Sequence, residues 1–140
     1  YNVRMGDPEC QTILPLLKND FVEVLKNCMN GTLNKLELEW EDKKSICIVL
    51  ASKGYPQNFN KNIFIENLEN FKHSNNRFIF HAGTKLVDKK FYSTGGRVLN
   101  FVSIGSNLKS ARDETLNLIK KLNWRYGHYR RDIAFKVIKN

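Results

Sequence analysis

The spacing of hydrophobic and polar positions changes along the chain, and each change predicts a different element. Tyr1-Asn2-Val3-Arg4-Met5 alternates with the period of a strand. No cap or loop precedes it, so it reads as a strand entered partway, inside a larger domain. Gly6-Asp7-Pro8-Glu9 then turns the chain into a helix, since Pro8 suits the first helical position and Glu9 suits the positive end of the dipole. Ile13, Leu14, Leu17, Phe21, Leu25 and Cys28 follow at helical spacing and predict a stripe facing the core. Pro15 interrupts the stripe, and Asp20-x-x-Glu23 has the form of a capping box, so it divides into two consecutive helices ending at Gly31.

From Leu36 the period shortens. Ser45 to Ala51 is a continuous apolar strand running into the turn Gly54-Tyr55-Pro56, and 57–76 is mostly loop with one short strand at Ile63-Phe64-Ile65. Arg77 to Leu86, Lys90 to Ser93 and Arg97 to Ile104 predict three strands, joined by a turn at Asp88-Lys89 and by Gly95-Gly96, hence an antiparallel sheet. Asn107 is placed to cap a helix from Leu108 to Leu122, with Ala111, Thr115, Leu118, Ile119 and Leu122 buried and Arg112, Asp113, Lys120 and Lys121 facing water. The tail from Trp124 is aromatic and basic.

Composition narrows the class. With 140 residues, 41% of them hydrophobic and 26% charged, the chain can bury a core and is neither disordered nor fibrous. No apolar run approaches the roughly 20 residues of a membrane span. The first residues lack the basic start and apolar core of a signal peptide, so a cytoplasmic protein is expected. Cys10, Cys28 and Cys47 are odd in number and form no C-x-x-C pair, which predicts buried, reduced thiols. His73, His81 and His128 have no metal-ligand spacing, and no structural zinc is expected. The net charge of +9 is uneven: 8 Lys/Arg stand against 10 Asp/Glu in 1–70, a balance of −2, and 15 stand against 4 in 71–140, a balance of +11. A basic half fits nucleic acid or a small phosphorylated ligand, and equally a solvated face that maintains solubility.

Four places could carry chemistry. Asn2-x-Arg4-x-Gly6-Asp7-Pro8-Glu9 sets an amide, a guanidinium and two carboxylates at a strand end above a helix start. Backbone N–H groups there suit an anion, Arg4 offers a fork for phosphate or carboxylate, and Asn2, on the same strand face as Arg4, offers Mg2+ an oxygen. The plainer reading is that Asp7 caps the helix and Arg4 pairs with Glu9. Gly95-Gly96-Arg97 either brings amides and a guanidinium against an anion or is simply a hairpin turn. His81-Ala82-Gly83-Thr84-Lys85 carries small residues, so a ligand or another backbone can come close. In the tail, Arg125, Arg130 and Arg131 with Trp124, Tyr126 and Tyr129 could stack bases; an aromatic anchor with solvated charges is the reading preferred.

Five of these pieces occur together in a known order. Asn2 to Glu9, Ala51-Ser52-Lys53-Gly54-Tyr55-Pro56, Phe80-His81-Ala82-Gly83-Thr84, Gly95-Gly96-Arg97-Val98-Leu99 and Tyr129-Arg130-Arg131-Asp132-Ile133 resemble the phosphoribosylamine-glycine ligase family, over nearly the whole chain. The resemblance is to the family's C-terminal third. Gln57 and Ala134 stand where the family usually has Gly. The resemblance implies an α+β fold, the end of an ATP-grasp core (a strand plus helices) in 1–35 and a small antiparallel β-sheet domain with a packed helix in 36–140. It implies an ATP-dependent carbon-nitrogen ligase that activates glycine as an acyl phosphate and joins it to 5-phosphoribosylamine, forming glycinamide ribonucleotide in purine synthesis. It further implies Asn2 as a ligand of Mg2+ or Mn2+, together with a Glu just before Tyr1. Arg4 is then the catalytic cation, and Arg4, Gly6, Asp7, Gly96 and Arg97 are substrate-binding. The partners implied are ATP, the two small substrates and a preceding ATP-grasp part of the same polypeptide. No nucleic acid or membrane is implied, the protein is expected to be a cytoplasmic monomer, and the 140 residues alone are expected to be inactive. A basic module for single-stranded nucleic acid is the alternative, and it leaves the Asn2 to Glu9 segment without a role.

Overall fold

A computed structural model describes residues 3–72 and 74–138. In chain order the elements are α1 (Glu9–Ile13), α2 (Phe21–Met29), β1 (Lys44–Ser52), β2 (Arg77–His81), β3 (Thr84–Val87), β4 (Lys90–Ser93), β5 (Arg97–Gly105), α3 (Leu108–Leu122), β6 (Gly127–His128) and α4 (Phe135–Ile138), with short 3-10 turns at 14–16, 33–35 and 68–70. β2, β5, β1 and β6 form one antiparallel sheet in that order, and β3 with β4 forms a separate hairpin. No helix among the described residues is long and apolar enough to cross a membrane.

Register explains where the core sits. Ile48 lies opposite Phe101 and Leu50 opposite Leu99, while Ile79 lies opposite Phe101 from the other side, so these apolar side chains share one sheet face. α3 lays Ala111, Leu118, Ile119 and Leu122 on that face. Asn107 starts the helix: its Oδ1 accepts from Ser110 N at 2.8 Å, and its own N–H donates to Ser110 Oγ. The tail is anchored by Trp124, whose ring is buried and whose Nε1 donates to Phe64 O at 2.8 Å. The strand β1, the strand β5 and the capped helix α3, with its five buried residues, form as the periodicity predicts.

Elsewhere tertiary contacts override local pattern. The strand expected at 1–5 is not formed in its described part, where Val3 and Arg4 lie in bends without a pairing strand. Pro8 is the cap before α1 rather than its first residue, and Asp20 caps α2 through Val22 N at 2.8 Å, without the returning Glu23 bond of a full box. Ile63-Phe64-Ile65 makes a single bridge, Phe64 to Tyr92, instead of a strand. The expected strand Arg77 to Leu86 is broken at Ala82-Gly83: Gly83 N donates to Arg97 O, and Thr94 N donates to Gly83 O, which turns the chain out of the sheet into the β3–β4 hairpin. Asp88 and Lys89, with φ of 46° and 62°, close that hairpin, matching a turn that needs positive φ at both central residues. Gly95-Gly96 is consequently a crossing between two sheets and not a hairpin turn.

The largest correction concerns the first helices. No residue of α1 or α2 is buried, and Phe21, Val22, Leu25 and Met29 are exposed, Met29 to 87%. The apolar stripe is real, but among the described residues only its inner part is covered: Leu14 and Leu17 are half-buried, while Ile13, Phe21 and Leu25 stay exposed. Arg112 departs the other way: it is largely buried, with its Nε donating to Ile133 O at 2.8 Å and its terminal nitrogen to Arg131 O, so it fastens the tail to α3 rather than facing water.

Candidate functional site

Two segments far apart in sequence meet at one edge of the molecule. Arg97, the first residue of β5, donates to Asp7 O at 3.1 Å across a separation of 90 residues and pairs with Asp7 Oδ2 at 3.2 Å. The other carboxylate oxygen, Asp7 Oδ1, accepts from Gln11 Nε2 at 2.7 Å. Both charged side chains are 44% exposed, so the ion pair itself contributes only about 0–1 kcal/mol. Its importance lies in orientation.

The arm bearing Arg97 is held from behind. Ser52 N donates to Gly96 O at 2.7 Å and Ser52 Oγ to Gly95 O at 2.9 Å, tying the crossing to the end of β1. A Cβ on Gly83 would stand 2.7 Å from Arg97 O and 2.8 Å from Gly95 Cα, so this approach requires glycine. Gly96 packs on the ring of Tyr55. The close backbone approach expected at His81 to Lys85 is therefore the approach of Gly83 to Gly95.

Of the residues expected to form a site, Asp7, Gly6 and Arg97 are brought together, Gly96 lies beside them, and Arg4 is exposed just before Gly6. Asn2 lies outside the described residues. The cap expected of Asp7 does not form, since no side chain caps α1, and Glu9 accepts from Gly6 N at 2.8 Å. With only five residues and its first amide bonds used locally, α1 offers no anion site of its own. Sequence reasoning missed Gln11, although its position four residues after Asp7 on a helix is the spacing of facing side chains, and it missed Ser52.

Cys47 lies behind this junction on β1. Burial, and next the negative charge of Asp7, push its thiol up from 9.0 to about 12. The fold favours the neutral thiol, so this contribution to stability is complete below about pH 9 and is lost as pH rises towards about 12. Of the three expected buried thiols only Cys47 is buried; Cys28 is exposed and Cys10 is half-buried. With an aromatic disulfide reagent at pH 8, Cys28 of residues 1–140 should react at once and Cys47 only after unfolding. A Cys47 rate equal to that of Cys28 would overturn this.

The described residues do not make a metal site. No group of three His, Cys, Asp or Glu among them is placed to hold an ion, and the Asp7 carboxylate is already engaged by Arg97 and Gln11. A cavity of about 280 Å3 on the α3 side, lined by Phe71, Arg77, Ile79, His81, Phe91 and Leu118, takes in His81 from the small-residue segment but none of the residues implied as substrate-binding. The basic tail is occupied with itself: Arg130 holds Asp132 by two hydrogen bonds of 3.0 and 2.6 Å, which keeps that carboxyl below its usual range, while Arg125 and Arg131 lie over Tyr126 and Tyr129. Cations so used leave little reason to prefer the nucleic-acid alternative.

Comparison with known proteins adds the rest. The family model described as "Phosphoribosylglycinamide synthetase, C domain" matches residues 45–136. A phosphoribosylamine-glycine ligase of Caldanaerobacter subterraneus subsp. tengcongensis is 46% identical over 134 residues, covering 96% of this chain and 31% of the relative. One from Fusobacterium nucleatum is 44% identical over 135 residues, covering 96% and 32%. The crystal structure of a phosphoribosylamine-glycine ligase from Thermotoga maritima superimposes with a TM-score of 0.76 at 33% identity, over 94% of this chain and 32% of that one. The chain thus spans about a third of the length of the relatives it matches.

Proposed function

Because this chain belongs to the phosphoribosylglycinamide synthetase family through its C domain, we propose that it is the C-terminal part of an ATP-dependent ligase that joins glycine to 5-phosphoribosylamine in purine synthesis. The observation that carries the reading is the junction of Asp7 with Arg97, in which the two motifs most suited to anions, remote in sequence, share one edge. In the proposed reaction a glycine carboxylate oxygen attacks the γ-phosphorus of ATP and ADP leaves. The amine nitrogen of 5-phosphoribosylamine then attacks the acyl carbon, phosphate leaves, and the nitrogen loses a proton. Such transfers depend on placed cations more than on a side-chain nucleophile.

Arg4 is assigned to the charge that develops on the transferring phosphoryl group. Gly6, Gly96 and Arg97 are assigned to the substrate phosphate and carboxylate, and Asp7 is assigned to holding Arg97. Asn2, with a Glu preceding Tyr1, is the proposed ligand pair for Mg2+ or Mn2+. The division 1–35 and 36–140 belongs to the same proposal: the uncovered stripe of α1 and α2 is the surface expected against a preceding ATP-grasp part, within a cytoplasmic monomer.

The test is phosphate release by the full-length protein, dependent on glycine and 5-phosphoribosylamine together, beside the same assay on residues 1–140. Turnover by the first and none by the second is expected. Absence of coupled turnover in the full-length protein, or equal turnover by the fragment, would overturn the reading.

A further inference from the structure

We infer that Gln11 is a positioning residue that sets the substrate-facing guanidinium of Arg97 through Asp7; this rests on the function proposed above. Asp7 is gripped on both carboxylate oxygens, Oδ1 by Gln11 Nε2 at 2.7 Å and Oδ2 by Arg97 at 3.2 Å. Arg97 also donates Nη1 to Asp7 O at 3.1 Å, so a hydrogen bond and an ion-pair contact from different nitrogens set its planar fork against Asp7. Arg97 has five N–H donors, and one hydrogen bond with one ion-pair contact to Asp7 leaves others to meet an anion. The bond from Gln11 is what keeps Asp7 in place, since a carboxylate half exposed to water otherwise has several rotamers open to it.

The orientation of the Gln11 amide follows from the same contact. A carboxylate only accepts, so the amide must turn Nε2 toward Asp7, and Oε1 then points the other way. That oxygen is buried and has no hydrogen-bond partner. Leaving an acceptor unmet is unfavourable, and the residue tolerates it while its other end holds Asp7. A glutamine serving only to pack α1 against the sheet would have no reason to be polar.

The test uses the full-length ligase, with initial rates measured against 5-phosphoribosylamine. Gln11→Leu keeps the shape and removes the donor; KM should rise about 10-fold with kcat nearly unchanged, as expected for a lost hydrogen bond to a charged group. Gln11→Glu places a second carboxylate against Asp7 and should raise KM further, whereas Gln11→Lys keeps a donor and should stay near wild type. In an Arg97→Ala background, Gln11→Leu should add nothing, because the group it positions is gone. Matching melting temperatures would separate this pattern from loss of fold. If Arg97→Ala impairs turnover but Gln11→Leu leaves KM unchanged, or if the two effects multiply, the inference falls while the site reading stands. If Arg97→Ala is itself without effect, the site reading falls and takes the inference with it.

Discussion

On the proposed function, Arg97→Ala in the full-length protein should lower kcat/KM by about 10²-fold, mainly through KM. A charge-assisted hydrogen bond contributes about 1.5–3 kcal/mol when its partner is left unmet, and about 1.4 kcal/mol is a factor of ten. Loss of the guanidinium also frees Asp7, whose carboxylate would then face an anionic substrate and repel it. Arg97→Lys should recover only part of the loss, because an ammonium lacks the planar fork that meets Asp7 O and Asp7 Oδ2 from two separate nitrogens. Steady-state kinetics at saturating ATP and glycine decide the matter, and wild-type parameters for Arg97→Ala would remove this residue from the site.

Phe101→Ala should destabilise the protein by about 3–5 kcal/mol and lower Tm by roughly 10–20 °C. Phe101 has no exposed surface, and it lies between Ile48 and Ile79 across the central strands. Its ring meets Phe71 edge to face, with centroids 6.3 Å apart. Neighbours fixed in two hydrogen-bonded strands cannot collapse into the space left behind, so the loss falls at the upper end of what a cavity costs. Thermal unfolding by circular dichroism measures it; a shift of only a few degrees would show that the sheet repacks.

What could be read from the sequence divides along the range of the interactions. β1, β5 and α3 follow from local period and, in α3, from an Asn cap, and these signals lie within a turn or two of the residues they govern. The break after His81 does not, since its cause is the approach of Gly83 to the backbone of Gly95 and Arg97 across the fold. Arg112 reads as a solvated helix charge until the carbonyls of Arg131 and Ile133 come round to meet it. The stripe from Ile13 to Cys28 is periodic enough for a core, yet period reports only that a helix has an apolar side and not what covers it. At the proposed site, residue type and the family motifs single out Asp7 and Arg97 separately. Their pairing, and Gln11 behind it, depend on a register that no local pattern encodes.

The anchoring of the tail through Trp124 gives this chain two unlike fluorophores. Of its two tryptophans, Trp124 is 6% exposed with its indole N–H bound to a carbonyl, while Trp40 is 45% exposed beside the N-terminal helices. Emission from the first is that of an apolar surrounding and reports on the intact sheet. Emission from the second is already close to that of indole in water and reports on whatever comes to cover the N-terminal stripe. Folding of the one region and docking onto the other are thus separable optically, without any added label.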